Sequence, residues 1–180
     1  SFYRQNKDKE ILFLTITTVD APEYIKVAEL VGKMWNKLGA QTNIQSVTSH
    51  QIAGEILRKR SYDVLLYGEI LGSDPDPFPF WHSSQINYPG LNLASFSNRN
   101  ADKILEEARI TIDNQKRSEL HQKFQDILAQ ELPAVFLFTP THSFIANKNI
   151  GGVSFKYLGA PSDRYTDLSN WYIKTKWRWK

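Results

Sequence analysis

Cysteine is absent from the 180 residues, which removes disulfide frameworks, thiol nucleophiles and Cys-based zinc sites together. No stretch approaches the ~18 consecutive apolar residues of a membrane-spanning helix. Glycine and proline number nine and eight, too few for a collagen-like or low-complexity chain. The motifs that announce catalysis or cofactor binding are also missing: there is no G-x-S-x-G, H-E-x-x-H, G-x-x-x-x-G-K-[ST] or G-x-G-x-x-G. No cofactor is therefore expected. Gly32-Lys33 resembles the end of a P-loop only superficially, because it falls inside a helical pattern. His50, His82, His121 and His142 are scattered without metal-ligand spacing, so surface or capping roles are expected of them and no metal site.

What is present fits one globular domain: 41% hydrophobic and 23% charged residues, at a length that buries roughly 70% of the unfolded chain's surface. The basic residues number 22 against 19 acids. Four of them (Lys174, Lys176, Arg178 and Lys180) lie in the last ten residues, leaving 18 against 19 over residues 1–170. The basicity belongs to the tail and does not make a nucleic-acid-binding face. Residues 1–10 contain no initiator Met, apolar h-region or cleavage pattern, and they read as the start of a fragment whose true beginning lies upstream.

Along the chain, residues 12–17 (LFLTIT) read as a strand. Asp20, Pro22 and Glu23 start a helix that carries Tyr24, Val27, Ala28, Val31, Met34, Trp35 and Leu38 inward and stops at Gly39. Gln41–Val47 reads as a second strand. Ser49 is expected to cap a short helix with Ile52, Ala53, Ile56 and Leu57 inward and Arg58, Lys59 and Arg60 complementing its C-terminal dipole. Residues 62–67 form a third strand, giving β-α-β-α-β and a mostly parallel sheet. Two helices follow, over 101–110 and from an Asp113 cap to Pro133, and residues 134–138 (AVFLF) read as a buried strand of the same sheet. From Ile173 to Lys180 apolar and basic residues alternate, the pattern of a strand with one buried face.

Residues 69–100 break the pattern, with four prolines, several aromatics and no sustained period. Loops this long are functional or disordered, and the aromatic content argues against disorder. The loop leaves the C-terminal end of a central strand, where open α/β sheets bind ligands. Its concentrated feature is Asp74-Pro75-Asp76-Pro77 followed by Phe78, Phe80 and Trp81. Each proline fixes its own φ and restricts the residue before it, so two acids sit on a stiff backbone beside apolar walls. That suits a ligand pairing an ammonium group with an apolar body; plain loop punctuation, with the aromatics packing the loop onto the domain, is the bland alternative.

In order, YDVLLYG at 62–68, the Asp74–Pro77 segment, Phe96-Ser97-Asn98 before Ala101-Asp102, Lys116-Arg117 before a helix ending at Pro133, and Arg164-Tyr165 before Asn170-Trp171-Tyr172 resemble one family. The set resembles the C-terminal lobe of family 5 solute-binding proteins, the oligopeptide- and dipeptide-binding components of ATP-binding-cassette importers. The resemblance implies an α/β lobe of the type II periplasmic-binding-protein kind, with a mostly parallel central sheet flanked by helices and a long ligand-facing loop. Residues 1–180 would be one lobe of a larger two-lobed protein, with the 160–180 tail contacting the missing N-terminal lobe. It implies a non-enzymatic, periplasmic or membrane-anchored extracytoplasmic receptor whose partners are a peptide or other small solute and the permease subunits, and no nucleic acid. The solute would lie against Tyr67, Gly68, Glu69, Ile70, Leu71, Gly72, Ser73, Asp74, Asp76 and Trp81. Asp74 or Asp76 would pair with the α-amino group, and the 68–72 backbone with the peptide main chain. Many peptide binders carry Trp directly after the glycine, whereas this chain has Glu69.

Other readings compete. Family members also bind nickel chelates, haem, opines or sugars. A hydrolase using Asp74 and Asp76 is disfavoured, because carboxylates two residues apart around a proline are poorly placed to flank a scissile bond. A nucleic-acid binder using Trp171 to Lys180 has interleaved aromatic and basic residues, but the segment is short and the rest mildly acidic.

Overall fold

The computed structural model describes residues 10–70, 76–141, 143–154 and 161–175. Strand β1 (Phe13–Val19) is central, with β2 (Gln41–Val47) and β3 (Val64–Leu66) parallel to it on either side. Ile16 lies in register with both Ile44 and Val64. Ile16, Thr17 and Thr18 are nearly inaccessible, as befits the middle strand of a sheet covered on both faces. The Thr18 hydroxyl donates to the Leu66 carbonyl at 2.9 Å, so its buried polar atom is satisfied.

Helix α1 (Pro22–Lys37) crosses from β1 to β2. Ala21 rather than Asp20 occupies its N-cap, and no side chain caps it. Ala28 and Gly32 are the buried residues of the face turned to the sheet. Met34 and Leu38, expected inward, are exposed at 61% and 58%. They continue the i, i+4 row from Leu30 on the other side of the helix, so the apolar spacing there follows a second stripe that the sheet does not cover.

The next helix is a short α2 (Ser49–Gln51) running into a π-helical stretch, Ile52–Leu57. Thr48, not Ser49, caps it, in a reciprocal capping box with Gln51. Ile52 is buried but Ala53 is exposed, since the wider π turn rotates successive positions away from a 3.6-residue register.

Residues 76–98 are an assembled unit more than a loop. They contain α3 (Phe78–Trp81) and a 3-10 turn, Ser83–Gln85, and lead to α4 (Arg99–Ile110), capped by Asn98 through the Asn100 and Ala101 N–H groups. Helix α5 (Asn114–Glu131) starts at the expected Asp113 cap and ends at Leu132, in the left-handed region, just before Pro133. Phe96, Ala101, Leu105, Phe124 and Leu128 form the core between α4 and α5, with Phe78, Trp81, Ile104 and Ile127 packed against it.

Residues 134–138 are not a strand. Val135, Phe136 and Phe138 are 68–75% exposed and the run joins neither sheet. An apolar β-prone run becomes a strand only when it pairs with an edge that accepts its ladder, and this run pairs with neither outer strand of the sheet. A second, unanticipated sheet pairs β4 (Ile150–Gly151) with β5 (Tyr172–Ile173) in antiparallel fashion. It explains Gly151-Gly152: a Cβ on the first would meet the Tyr172 ring, and the second sits at φ +78 with the Asn170 carbonyl against it. The tail's alternation starts at Ile173 in β5, which is 72% exposed, so residues 173–175 do not show the expected buried face; residues 176–180, with Trp177 and Trp179, lie outside the described residues.

Candidate solute-binding site

Parallel pairing puts the C-terminal ends of β1 and β3 side by side. From there α1 carries the chain toward β2, while the segment after β3 leaves from the opposite edge, which makes this a topological switch point. Tyr67, Gly68, Glu69 and Ile70 emerge here and all four are exposed. Gly68 permits a close approach, since a Cβ would lie 2.5 Å from the Tyr24 hydroxyl on α1. Leu71, Gly72, Ser73 and Asp74 lie outside the described residues.

Glu69 keeps solvent contact, yet the chain around it desolvates the carboxyl and pushes its pKa up to about 7. A native pKa above the unfolded value means that the folded state holds more protons between the two, so this group favours folding less as pH rises from about 4.5 to 7. For an ammonium-bearing solute brought to this strand end the effect would have the opposite sign. Ionised Glu69 would attract the cation, so affinity is expected to rise between about pH 5 and 7, below the α-amino pKa of ~7.7–8, and to flatten in Glu69→Gln. Calorimetric titration across that range checks it; identical profiles for the two proteins would reject the effect.

Asp76 has partners within the chain. One oxygen accepts the Phe78 N–H at 3.0 Å and the other lies 3.1 Å from Arg109 Nε. The Arg109 guanidinium sits 4.4 Å from the Phe78 ring centroid. Trp81 also turns inward: its ring meets Phe96, Phe124 and Phe136 at centroid distances of 6.1, 6.4 and 5.7 Å. It packs the unit onto the helices, in keeping with the bland alternative for these aromatics.

Residues not expected to serve this segment hold the unit together. Asn92, fully buried, donates to the carbonyls of Trp81, His82 and Phe96 and accepts the Phe96 N–H. Arg60, expected to serve the helix dipole, donates to the Ile86 and Gly90 carbonyls at 3.1 and 2.5 Å. The Tyr62 hydroxyl donates to the Leu93 carbonyl; burial raises its pKa, partly opposed by Arg60. Asp102 accepts both the Ser83 N–H and hydroxyl, at 2.9 and 2.6 Å. His82 stacks on Phe78 and takes the Ser84 N–H on Nδ1, a capping role. Its neutral form therefore carries the proton on Nε2, which faces Glu106 at 3.3 Å and Asp102 at 3.8 Å. A legible trace existed for part of this: Asp102, Glu106 and Arg109 follow i, i+4, i+7 on one face of a helix.

A shallow open depression lined by Glu29, Gly32, Lys33, Asn36, Thr42 and Ile44 lies between α1 and β2, with no cluster of chemistry-bearing groups.

No family model matches the chain. The oligopeptide-binding protein AppA of Bacillus subtilis is 25% identical over 148 residues, covering 82% of this chain and 26% of that protein. Three further curated relatives, at 24–27% identity, are likewise named as peptide-binding or peptide-transport proteins. The chain thus spans about a quarter of the length of the curated relatives it matches. A solved structure of B. subtilis AppA with a nonapeptide superposes with a TM-score of 0.75 at 23% identity, over 93% of this chain and 33% of that one. NikZ of Campylobacter jejuni with Ni(L-His) gives 0.70 at 22%, over 94% and 36%. The fold is that of the type II periplasmic binding proteins. Three of these relatives are named as oligopeptide- or D,D-dipeptide-binding proteins and one as a peptide-transport protein, in line with the resemblance carried by the ordered sequence blocks.

Proposed function

We propose that the chain is the C-terminal ligand-binding lobe of the substrate-binding component of an ATP-binding-cassette importer. In this reading it captures oligo- or dipeptides against a second lobe and delivers them to the membrane permease. The observation that carries it is the set of curated relatives, all named for peptide binding or peptide transport. The exposed strand end at Tyr67–Ile70, beside the switch point of a parallel sheet, is the physical counterpart. Backbone groups of residues 68–72 take the peptide main chain, so side chains are read loosely, and an acid takes the α-amino group. With Asp76 held by Arg109, Asp74 is that acid. The protein works outside the cytoplasm as a receptor without enzymatic activity, in line with relatives named as periplasmic. Among the described residues no helix is long and apolar enough to cross a membrane.

A nickel chelate is the second reading, favoured by the fold shared with NikZ. Mass spectrometry of small molecules that co-purify with the full-length protein separates the two. Peptides are expected, and a nickel–histidine complex in their place would overturn the peptide assignment.

A further inference from the structure

The Asp76–Arg109 contact lies where the solute segment ends and the helical unit begins. On one side is the strand-end segment that starts at Tyr67; on the other is α3, whose first N–H is capped by the same Asp76 carboxylate at 3.0 Å. Arg109, in the last turn of α4, reaches both the second carboxylate oxygen at 3.1 Å and the Phe78 ring at 4.4 Å. Phe78 in turn stacks on buried His82 at 4.1 Å. One turn and two turns earlier on α4, Glu106 faces His82 and Asp102 holds Ser83. A single helix face thus grips residues 76–83 at successive points, and Arg109 is the grip nearest the solute segment.

We propose that Arg109 is a positioning residue for solute capture: it anchors Asp76 and Phe78, at the C-terminal end of the solute segment, to α4, and it neutralises the Asp76 carboxylate. This rests on the solute-receptor reading above. The anchor has physical consequences. Backbone groups recognise a peptide only if they are held in place before it arrives, because ordering them on binding costs affinity. The carboxylate is neutralised by a cation of its own chain, so it has little left to offer an incoming ammonium group. The pair is half-exposed, at 51% and 36% for the two side chains, and a half-exposed ion pair with one cation–π contact is modest in strength. Its loss is therefore expected to change binding by about three- to tenfold rather than abolish it.

The test uses the full-length protein and an alanine-based nonapeptide with a free amino terminus. Amide exchange of the unliganded protein and stopped-flow binding are measured for Arg109→Ala, Arg109→Lys, Asp76→Asn and the double variant Asp76→Asn/Arg109→Ala. Arg109→Ala and Asp76→Asn should each speed exchange at residues 77–85 while leaving α5 unchanged. Each should raise the peptide's dissociation rate about three- to tenfold. The double variant should be no worse than Arg109→Ala, in which the Asp76 contact is already lost together with the Phe78 one, and Arg109→Lys should recover part of the loss. Unchanged exchange at 77–85 would overturn the anchor. A larger loss for Asp76→Asn than for Arg109→Ala, persisting in the Arg109→Ala background, would overturn the assignment of Asp76 by showing direct contact with the peptide. A wild type that binds no peptide fails the receptor reading instead, and the exchange arm then decides the anchor alone.

Discussion

Asp74→Asn in the full-length protein is expected to lower affinity for a free-amino peptide by at least about a hundredfold. Removing one member of a desolvated ion pair leaves the other buried without a counter-charge, which typically costs about 3–5 kcal/mol, and ~1.4 kcal/mol is a factor of ten. Asp76→Asn should cost far less, since that carboxylate already serves the Phe78 N–H and Arg109. The contrast between two acids separated by one proline is the discriminating feature. Calorimetry on both variants measures it, and equal losses would return Asp76 to the site.

Asn92→Ala carries the largest expected effect on stability. The side chain is fully buried and makes four hydrogen bonds: its amide to three carbonyls, its oxygen to the Phe96 N–H. Alanine removes the partner of the Phe96 N–H and of the Phe96 and Trp81 carbonyls, while the His82 carbonyl keeps the Gln85 N–H; each group left unsatisfied costs about 1–3 kcal/mol. A total loss of ~3 kcal/mol or more is expected, read as a lower denaturant midpoint with an unchanged slope. Asn92→Asp should be no better, because an ionised carboxylate cannot donate to the three carbonyls. A midpoint within experimental error of wild type would show that the 76–98 unit does not depend on this residue.

The parallel sheet was legible because its signal is local. Each β-α-β crossover carries its own apolar periodicity, and all three strands appear where expected, with ends shifted by a few residues. Residues 134–138 were misread for the converse reason. Hydropathy reports that Val135, Phe136 and Phe138 are apolar, but whether they form a strand depends on a distant edge that no local pattern encodes. Met34 and Ala53 show a second limit: apolar spacing does not tell which of two stripes the sheet covers, nor that a π turn will rotate the register. In the 69–100 segment the sequence exposed the acids and aromatics but not their allegiances. Trp81 faces the helices and Asp76 faces Arg109, which lies 33 positions further along the chain. Asn92 and Arg60 were invisible because their partners are backbone carbonyls, which every residue carries.

The central claim is that this chain contributes to a receptor that reads a peptide by its amino terminus and main chain. The most direct measurement is calorimetric titration of the full-length protein with one nonapeptide in two forms, free at the amino terminus and Nα-acetylated. Acetylation removes the ammonium charge and leaves the rest of the main chain intact. The free peptide is expected to bind at least about a hundredfold more tightly, by the same unpaired-charge argument. Equal affinity of the two forms would contradict the claim.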